Sequence, residues 1–295
     1  MSFYTQPADR QFRWLSSTTG DPAVLAALND RMAWFYGQLD GRSSYQEMLE
    51  GIESSPESEE SNDGQWLPDY ICSLQPQSIL EVGCSSGRLY RQLRGQGYAQ
   101  AYTGIEVADY LIQHNQQRHP EATWKCAGAY EIPFEDGQFD VCFSTYVLEH
   151  LVYPERALEE MLRVIRPGGC LVLVFPDFVV SGRLASQQMG WSPVPRASEK
   201  LKSGRLGDAL LSLFDSRVRM RRALKSVRHR VGPFPINVAP ICLSYPEVMG
   251  ADVDAVYIAS KQEVADWARA RGYSVDYPCG VEDIFAETSF IVIYT

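Results

Sequence analysis

No stretch of this 295-residue chain approaches the roughly 18 consecutive apolar residues of a membrane-spanning helix. Its first residues also lack the basic and apolar regions of a signal peptide. The expectation is a cytoplasmic location with neither membrane nor export. The seven cysteines include no C-x-x-C pair, so Cys84, Cys126, Cys142, Cys170 and Cys279, in or beside predicted strands, read as reduced, buried small hydrophobes. The four histidines, His114, His119, His150 and His229, never reach ligand spacing, and no metal is expected. A G-x-G-x-x-G fingerprint is missing as well: the positions two and five after Gly83 are Ser85 and Arg88, which counts against the close backbone approach a dinucleotide pyrophosphate needs.

What is present is more telling. Residues 79–89 read as a strand, a tight turn and a helix start, with Ile79, Leu80 and Val82 suited to a strand covered on both faces. Gly83 and Gly87 let the turn bend without a Cβ, and the next helix offers unpaired backbone N–H groups to adenosine or a small anion. A second strand, 102–106, ends in Glu106 about twenty residues later, where ribose hydroxyls want a two-oxygen acceptor. Residues 154–165 place Ala157, Leu158, Met161, Leu162 and Ile165 at helical spacing, with a stop at 166–169. The apolar run 170–175 follows as a buried strand. With 45% hydrophobic residues the chain can bury one large core.

These motifs resemble class I S-adenosylmethionine (SAM) dependent methyltransferases from about Trp66 to Pro176, and again near residue 295. Glu81, Gly83 and Gly87 match the acidic-x-Gly-x-Gly-x-Gly pattern, with Ser85 at the middle glycine. Residues 128–140 resemble the loop and fourth strand, and 145–151 match the S-x-x-V-L-E-H-L segment that lies at the methionine end of SAM. An aspartate common in the family is replaced by Gly128, so the adenine contact must come from elsewhere, such as Glu131 or a backbone carbonyl. The resemblance implies a Rossmann-like α/β fold: a seven-stranded, mostly parallel sheet with helices on both faces, whose last two strands, 272–278 and 288–295, form an antiparallel pair. It implies SAM as cofactor, S-adenosylhomocysteine as product, and Glu81, Gly83, Cys84, Ser85, Gly87, Glu106, Val107, Gly128, Ala129, Tyr130, Ser144 and Thr145 as cofactor-binding residues.

The expected organisation has four parts. Residues 1–65 form an N-terminal helical cap followed by an acidic, Ser-rich linker at 53–64. Residues 66–176 form the SAM-binding core, 177–260 a basic insertion serving as acceptor lid, and 261–295 the last helix and two strands. On the cap, residues 22–39 space Leu25, Leu28, Met32, Phe35, Tyr36 and Leu39 along a helix face; Trp34 and Tyr36 line an acceptor site or simply pack. Between Arg196 and Arg230 there are 11 Lys/Arg against 3 Asp/Glu, a net charge of +8 within a chain of net −10. Three readings stay open for this patch: a solvated or oligomer surface, an anionic or sugar-linked small acceptor, and nucleic acid. The acidic remainder opposes a long polyanion, and the Asn/Asp-Pro-Pro-aromatic signature of base amino-methyltransferases is missing.

A sulfonium methyl is already electrophilic, so the protein must mainly align the acceptor and exclude water. For a hydroxyl acceptor an imidazole suits proton removal, and His150 is the catalytic candidate, with Glu149 and Asp177 as further acids near the same edge. The functional reading is methyl transfer to a polar small molecule, an O-methylation of a saccharide or natural product. Alternatives are an inactive SAM-binding interaction module or a nucleic-acid methyltransferase. A homo-oligomer is left open.

Overall fold

The computed structural model describes residues 21–36, 66–187, 197–243, 252–278 and 288–295. The linker at 53–64, Leu39 and Cys279 lie outside them. In chain order the elements are α1 (Pro22–Tyr36), α2 (Trp66–Ser73), β1 (Ser78–Val82), α3 (Arg88–Gly95), β2 (Ala101–Glu106), α4 (Asp109–Arg118), β3 (Thr123–Cys126), β4 (Phe139–Thr145), α5 (Pro154–Arg163), β5 (Ile165–Pro176), α6 (Ala197–Lys202), α7 (Leu206–Phe214), α8 (Arg221–Val231), α9 (Lys261–Ala270), β6 (Ser274–Asp276) and β7 (Thr288–Tyr294). The sheet runs β3-β2-β1-β4-β5-β7-β6. Strands β1 to β5 are parallel, and β7 runs antiparallel between β5 and β6. Chain order reverses between β1 and β4, and the carboxyl edge at such a reversal is where open α/β sheets form a crevice.

The sheet separates two apolar layers because successive residues of a strand point to opposite faces. Leu80, Val82, Cys142, Leu171, Leu173, Ile291 and Ile293 pack on one side with Leu158, Met161 and Leu162 of α5 and Val264, Trp267 and Ala268 of α9. Ile79, Val141, Phe143, Cys170, Val172, Val174 and Val292 face the other, against Ile71 of α2, Tyr90 and Leu93 of α3 and Trp124. Helix α5 begins with Pro154 in its first turn, where the missing N–H has no partner to lose.

Two expectations need correction. Strand β5 begins at Ile165, not after the Pro167-Gly168-Gly169 turn: a register shift opposite Phe139 and Val141 carries the exposed residues 166–168 within the strand. Cys126 is exposed, because β3 is the edge strand and alternate residues face water; Cys84, Cys142 and Cys170 are buried thiols as expected.

Asp177, buried at 1% exposure, works as a clasp. Its Oδ1 accepts from Val179 and Val180 N–H at 3.1 and 2.9 Å, and its Oδ2 accepts from Lys261 N–H at 3.0 Å, capping the short turn Phe178–Ser181 and the start of α9 together. Asp177→Ala should lower the unfolding free energy by about 2–3 kcal/mol in urea denaturation, since it strands three amides. Asp177→Asn, which keeps an acceptor oxygen, should lose less.

Candidate functional site

The turn after β1 is closed by its neighbours. Gly83 and Cys84 N–H both donate to Ile105 C=O, at 2.9 and 3.0 Å, and Gly87 N–H donates to Cys84 C=O. Gly83 has φ +80°, and a Cβ there would fall 2.3 Å from Val147 Cγ2, so a side chain is excluded by both conformation and space. Ser85 also adopts the left-handed region, with φ +46°. It is held there by donating its N–H to Glu106 Oε2 at 3.2 Å and accepting from Asn115 Nδ2 at 2.8 Å. The turn survives the loss of the middle glycine, with strain retained at Ser85.

Glu106 ends β2 beside this turn. Its Oε1 accepts from Val107 and Ala108 N–H at 2.8 and 3.3 Å, while Oε2 holds Ser85. Burial raises the Glu106 carboxyl above its usual range, and the three amides pull it partly back. Glu81, on the neighbouring strand, accepts the Tyr102 hydroxyl; burial pushes it up to about 8, against that hydrogen bond and with the charge of Glu106 adding to the rise.

Over these groups lies a cavity of about 720 Å³. Glu81, Gly83, Cys84, Ser85, Glu106, Val107, Gly128, Ala129, Tyr130, Thr145 and His150 all line it. Gly87 and Ser144 do not: Gly87 caps α3 facing Trp124 and Asn115, and the buried Ser144 Oγ donates to Val82 C=O, tying β4 to β1. Tyr130 presents its ring to the cavity while its hydroxyl accepts from Val152 and Tyr153 N–H. Beside Gly128 there is room, since a Cβ would meet nothing nearer than Val107 Cγ1 at 3.8 Å. Glu131 is exposed and does not line the cavity.

At the far end sits His150, in the turn Leu148–His150. Its Nδ1 lies 3.4 Å from Asp254 Oδ2 and its Nε2 3.6 Å from Glu149 Oε1. Asp254 Oδ2 also accepts the Tyr36 hydroxyl at 2.5 Å, and the Tyr36 ring meets the imidazole edge-on. Burial alone would lower the His150 pKa, but Asp254, Glu149 and Asp252 together outweigh it and raise it. Glu149 is fully buried and is pushed up to about 7 by burial, with the His150 charge acting the other way. Tyr146 and Asp252, also on the wall, have φ of +53° and +59°; with Ser85 they make three cavity residues in a conformation L side chains rarely adopt.

The residue pattern did not single out Asp252, Asp254, Tyr146 or Val147 as cavity residues. Periodicity placed Tyr36 on the buried face of α1, where it reaches the cavity, whereas Trp34 is 67% exposed and does not. None of the described residues of 197–243 lines the cavity; the end of the basic segment enters it through Asp252 and Asp254.

Residues 80–173, the stretch that builds the turn, Glu106 and His150, match the family described as a methyltransferase domain. By that match residues 80–173 are a methyltransferase domain. An uncharacterized methyltransferase of Mycolicibacterium gilvum is 44% identical over 132 residues, covering 44% of this chain and 50% of that protein. A malonyl-[acyl-carrier protein] O-methyltransferase of Serratia marcescens is 25% identical over 211 residues, covering 69% and 74%. Among solved structures, the plantazolicin methyltransferase BpumL aligns over 92% of this chain and 96% of its own at 13% identity, with TM-score 0.48. The chain spans half the length, or less, of several curated relatives it matches.

SAM is the cofactor that the sequence resemblance implies, and the cavity's donor set fits it. A buried carboxylate at the end of β2 faces a turn that tolerates no side chain at Gly83, and Val107 and Ala129 offer apolar walls for a purine. No helix among the described residues is long and apolar enough to cross a membrane. Among the same residues no cluster of His, Cys, Asp and Glu could hold a metal ion.

Proposed function

We propose that the protein transfers a methyl group from SAM to a hydroxyl of a polar, uncharged small molecule such as a saccharide or natural product, with His150 as proton acceptor. The observation that carries this reading is the array Tyr36–Asp254–His150 on the wall of the cavity that also holds Glu106. Glu106 would hold the ribose hydroxyls, the 83–87 turn would pack beneath the adenosine, and Val107, Ala129 and Tyr130 would flank the purine. When bound, SAM supplies an electrophilic methyl on a sulfonium.

The chain's own groups then have two tasks. The cavity walls orient the acceptor oxygen and exclude water. Asp254, itself fixed by the Tyr36 hydroxyl and 3.4 Å from His150 Nδ1, would favour the proton on that nitrogen and leave Nε2 to take the proton from the acceptor hydroxyl. Glu149, whose carboxyl is held near 7, lies behind Nε2 to receive charge or proton in turn. Asp252 and Asp254 on the wall, with Glu149 beside His150, make this end of the cavity acidic, and no described residue of 197–243 adds a positive charge to its wall. An anionic acceptor is repelled there, which favours a neutral hydroxyl.

The sign of the pH dependence follows. An imidazole with a raised pKa stays protonated to higher pH and cannot accept a proton until that pKa is passed. Rates of labelled methyl transfer to a panel of polyhydroxylated acceptors should rise with pH through a midpoint above 6.5. Asp254→Asn removes a neighbouring negative charge and should move the midpoint down while slowing the plateau rate. A flat profile in both proteins would dismiss His150 as the base.

The space beside Gly128, with no side chain for the adenine amino group, favours weaker cofactor binding and so keeps a second reading, a SAM-binding module without turnover. Calorimetry with SAM and its demethylated product measures binding. Labelled transfer separates enzyme from module: bound cofactor with no transfer across the acceptor panel would favour the module.

A further inference from the structure

The segment from Leu206 to Val231 is one helical rod: right-handed helical backbone continues from Phe214 through a π turn at Asp215–Met220 into Arg221. At about 1.5 Å per residue it is roughly 40 Å long. Its two halves are built oppositely. Helix α8 turns Ala223, Leu224 and Val227 into the core, pairs Arg228 inward with Glu263, and leaves Arg222, Lys225 and Arg230 outward. Helix α7 buries Ala209 and Ser212 and leaves Leu206, Leu210, Leu211, Leu213 and Phe214 exposed, at 57, 58, 39, 38 and 52%. Leu201 of the adjoining α6 is 56% exposed.

Between α6 and α7 the interior is polar. Lys200 is fully buried, its Nζ donating to Ser212 Oγ at 2.5 Å, and Asp215 is 2% exposed. The hairpin is therefore inside out, with a lysine inside and leucines in water. An apolar patch of this kind marks a contact surface.

Charge decides between occupants. The sequence from 196 to 230 carries a net +8, and Arg217, Arg222, Lys225 and Arg230, all exposed, continue along the same rod. Two copies of the chain meeting here would bring two basic segments together. An anionic bilayer accepts both features, apolar side chains below the headgroups and arginines on the phosphates. We propose that the α6–α7 hairpin and the outward face of α8 dock the protein on the surface of an anionic lipid bilayer. The contact is peripheral: the nine residues of α7 are far too few to span. It stands independently of the methyl-transfer reading.

Co-sedimentation of the full chain with phosphatidylcholine vesicles, with and without phosphatidylglycerol, tests this. The protein should pellet with the phosphatidylglycerol vesicles, remain in the supernatant with phosphatidylcholine alone, and be released by high salt. The double variant Leu210→Glu/Phe214→Glu should lower partitioning on the order of tenfold or more, with circular dichroism and thermal unfolding unchanged because both side chains face water. Arg217→Glu/Arg222→Glu should likewise weaken it. No pelleting with anionic vesicles, or pelleting unaffected by the leucine and phenylalanine changes, overturns the proposal. So does a lipid-free dimer in sedimentation equilibrium that the first double variant dissolves, since a second copy would then cover the face.

Discussion

Replacing Glu106 with alanine should weaken SAM binding about 10- to 150-fold, the equivalent of roughly 1.5–3 kcal/mol for lost charge-assisted hydrogen bonds. The carboxylate is already engaged by three backbone amides, from Ser85, Val107 and Ala108. Its oxygens are thereby fixed before any ribose arrives, so binding need not order them. Its removal also frees Ser85, whose left-handed backbone rests on that hydrogen bond, so the turn itself should loosen. Two measurements separate these effects. Calorimetry with SAM and S-adenosylhomocysteine reads the affinity, and thermal unfolding without cofactor reads the turn. Glu106→Gln keeps the shape but replaces one acceptor oxygen by a donor, and should recover more of the stability than of the affinity. Equal SAM affinity in all three proteins would show that the ribose is held elsewhere.

The second large effect is expected at His150. Substitution by glutamine should lower kcat by about 10²- to 10⁴-fold, the range for loss of a positioned general base, and leave the KM for SAM within about twofold. Glutamine retains hydrogen-bonding capacity and much of the side-chain volume beside Tyr36 and Asp254, so a loss confined to kcat points to the proton. The pH-dependent limb should disappear with it. The alternative, that His150 merely holds the Leu148–His150 turn against Glu149, predicts loss of stability with kcat little changed. Steady-state kinetics beside a melting curve distinguishes the two.

What could be read from the sequence was what the chain writes locally. The apolar runs of β1, β4 and β5, the glycine turn at 83–87 and Glu106 at the end of β2 each fall within a short stretch whose chemistry is visible residue by residue. The surroundings of His150 were not. Tyr36 and Asp254 are 218 residues apart and meet only through the fold, and neither sits in a pattern with a mechanism attached. Asp177 read as an acid near the sheet edge; its role as a double cap depends on Lys261, 84 residues on. Cys126 read as buried because strand character was legible while edge position was not. Residues 196–230 read only as a basic patch; the exposed leucines of α7 and the buried Lys200 that make the hairpin inside out were not singled out, because charge count does not say which side chains meet water.

The placement of β7 bears on how the protein comes to be made. Strand β5 lies in the middle of the finished sheet, yet one of its sides is filled by residues 288–294, synthesised long after it. Until they leave the ribosome the nascent chain presents an open row of amide and carbonyl groups along an apolar strand, the kind of edge that recruits other chains. Partners with which a growing polypeptide is handled, rather than the mature surface, are where selection against aggregation would have to act.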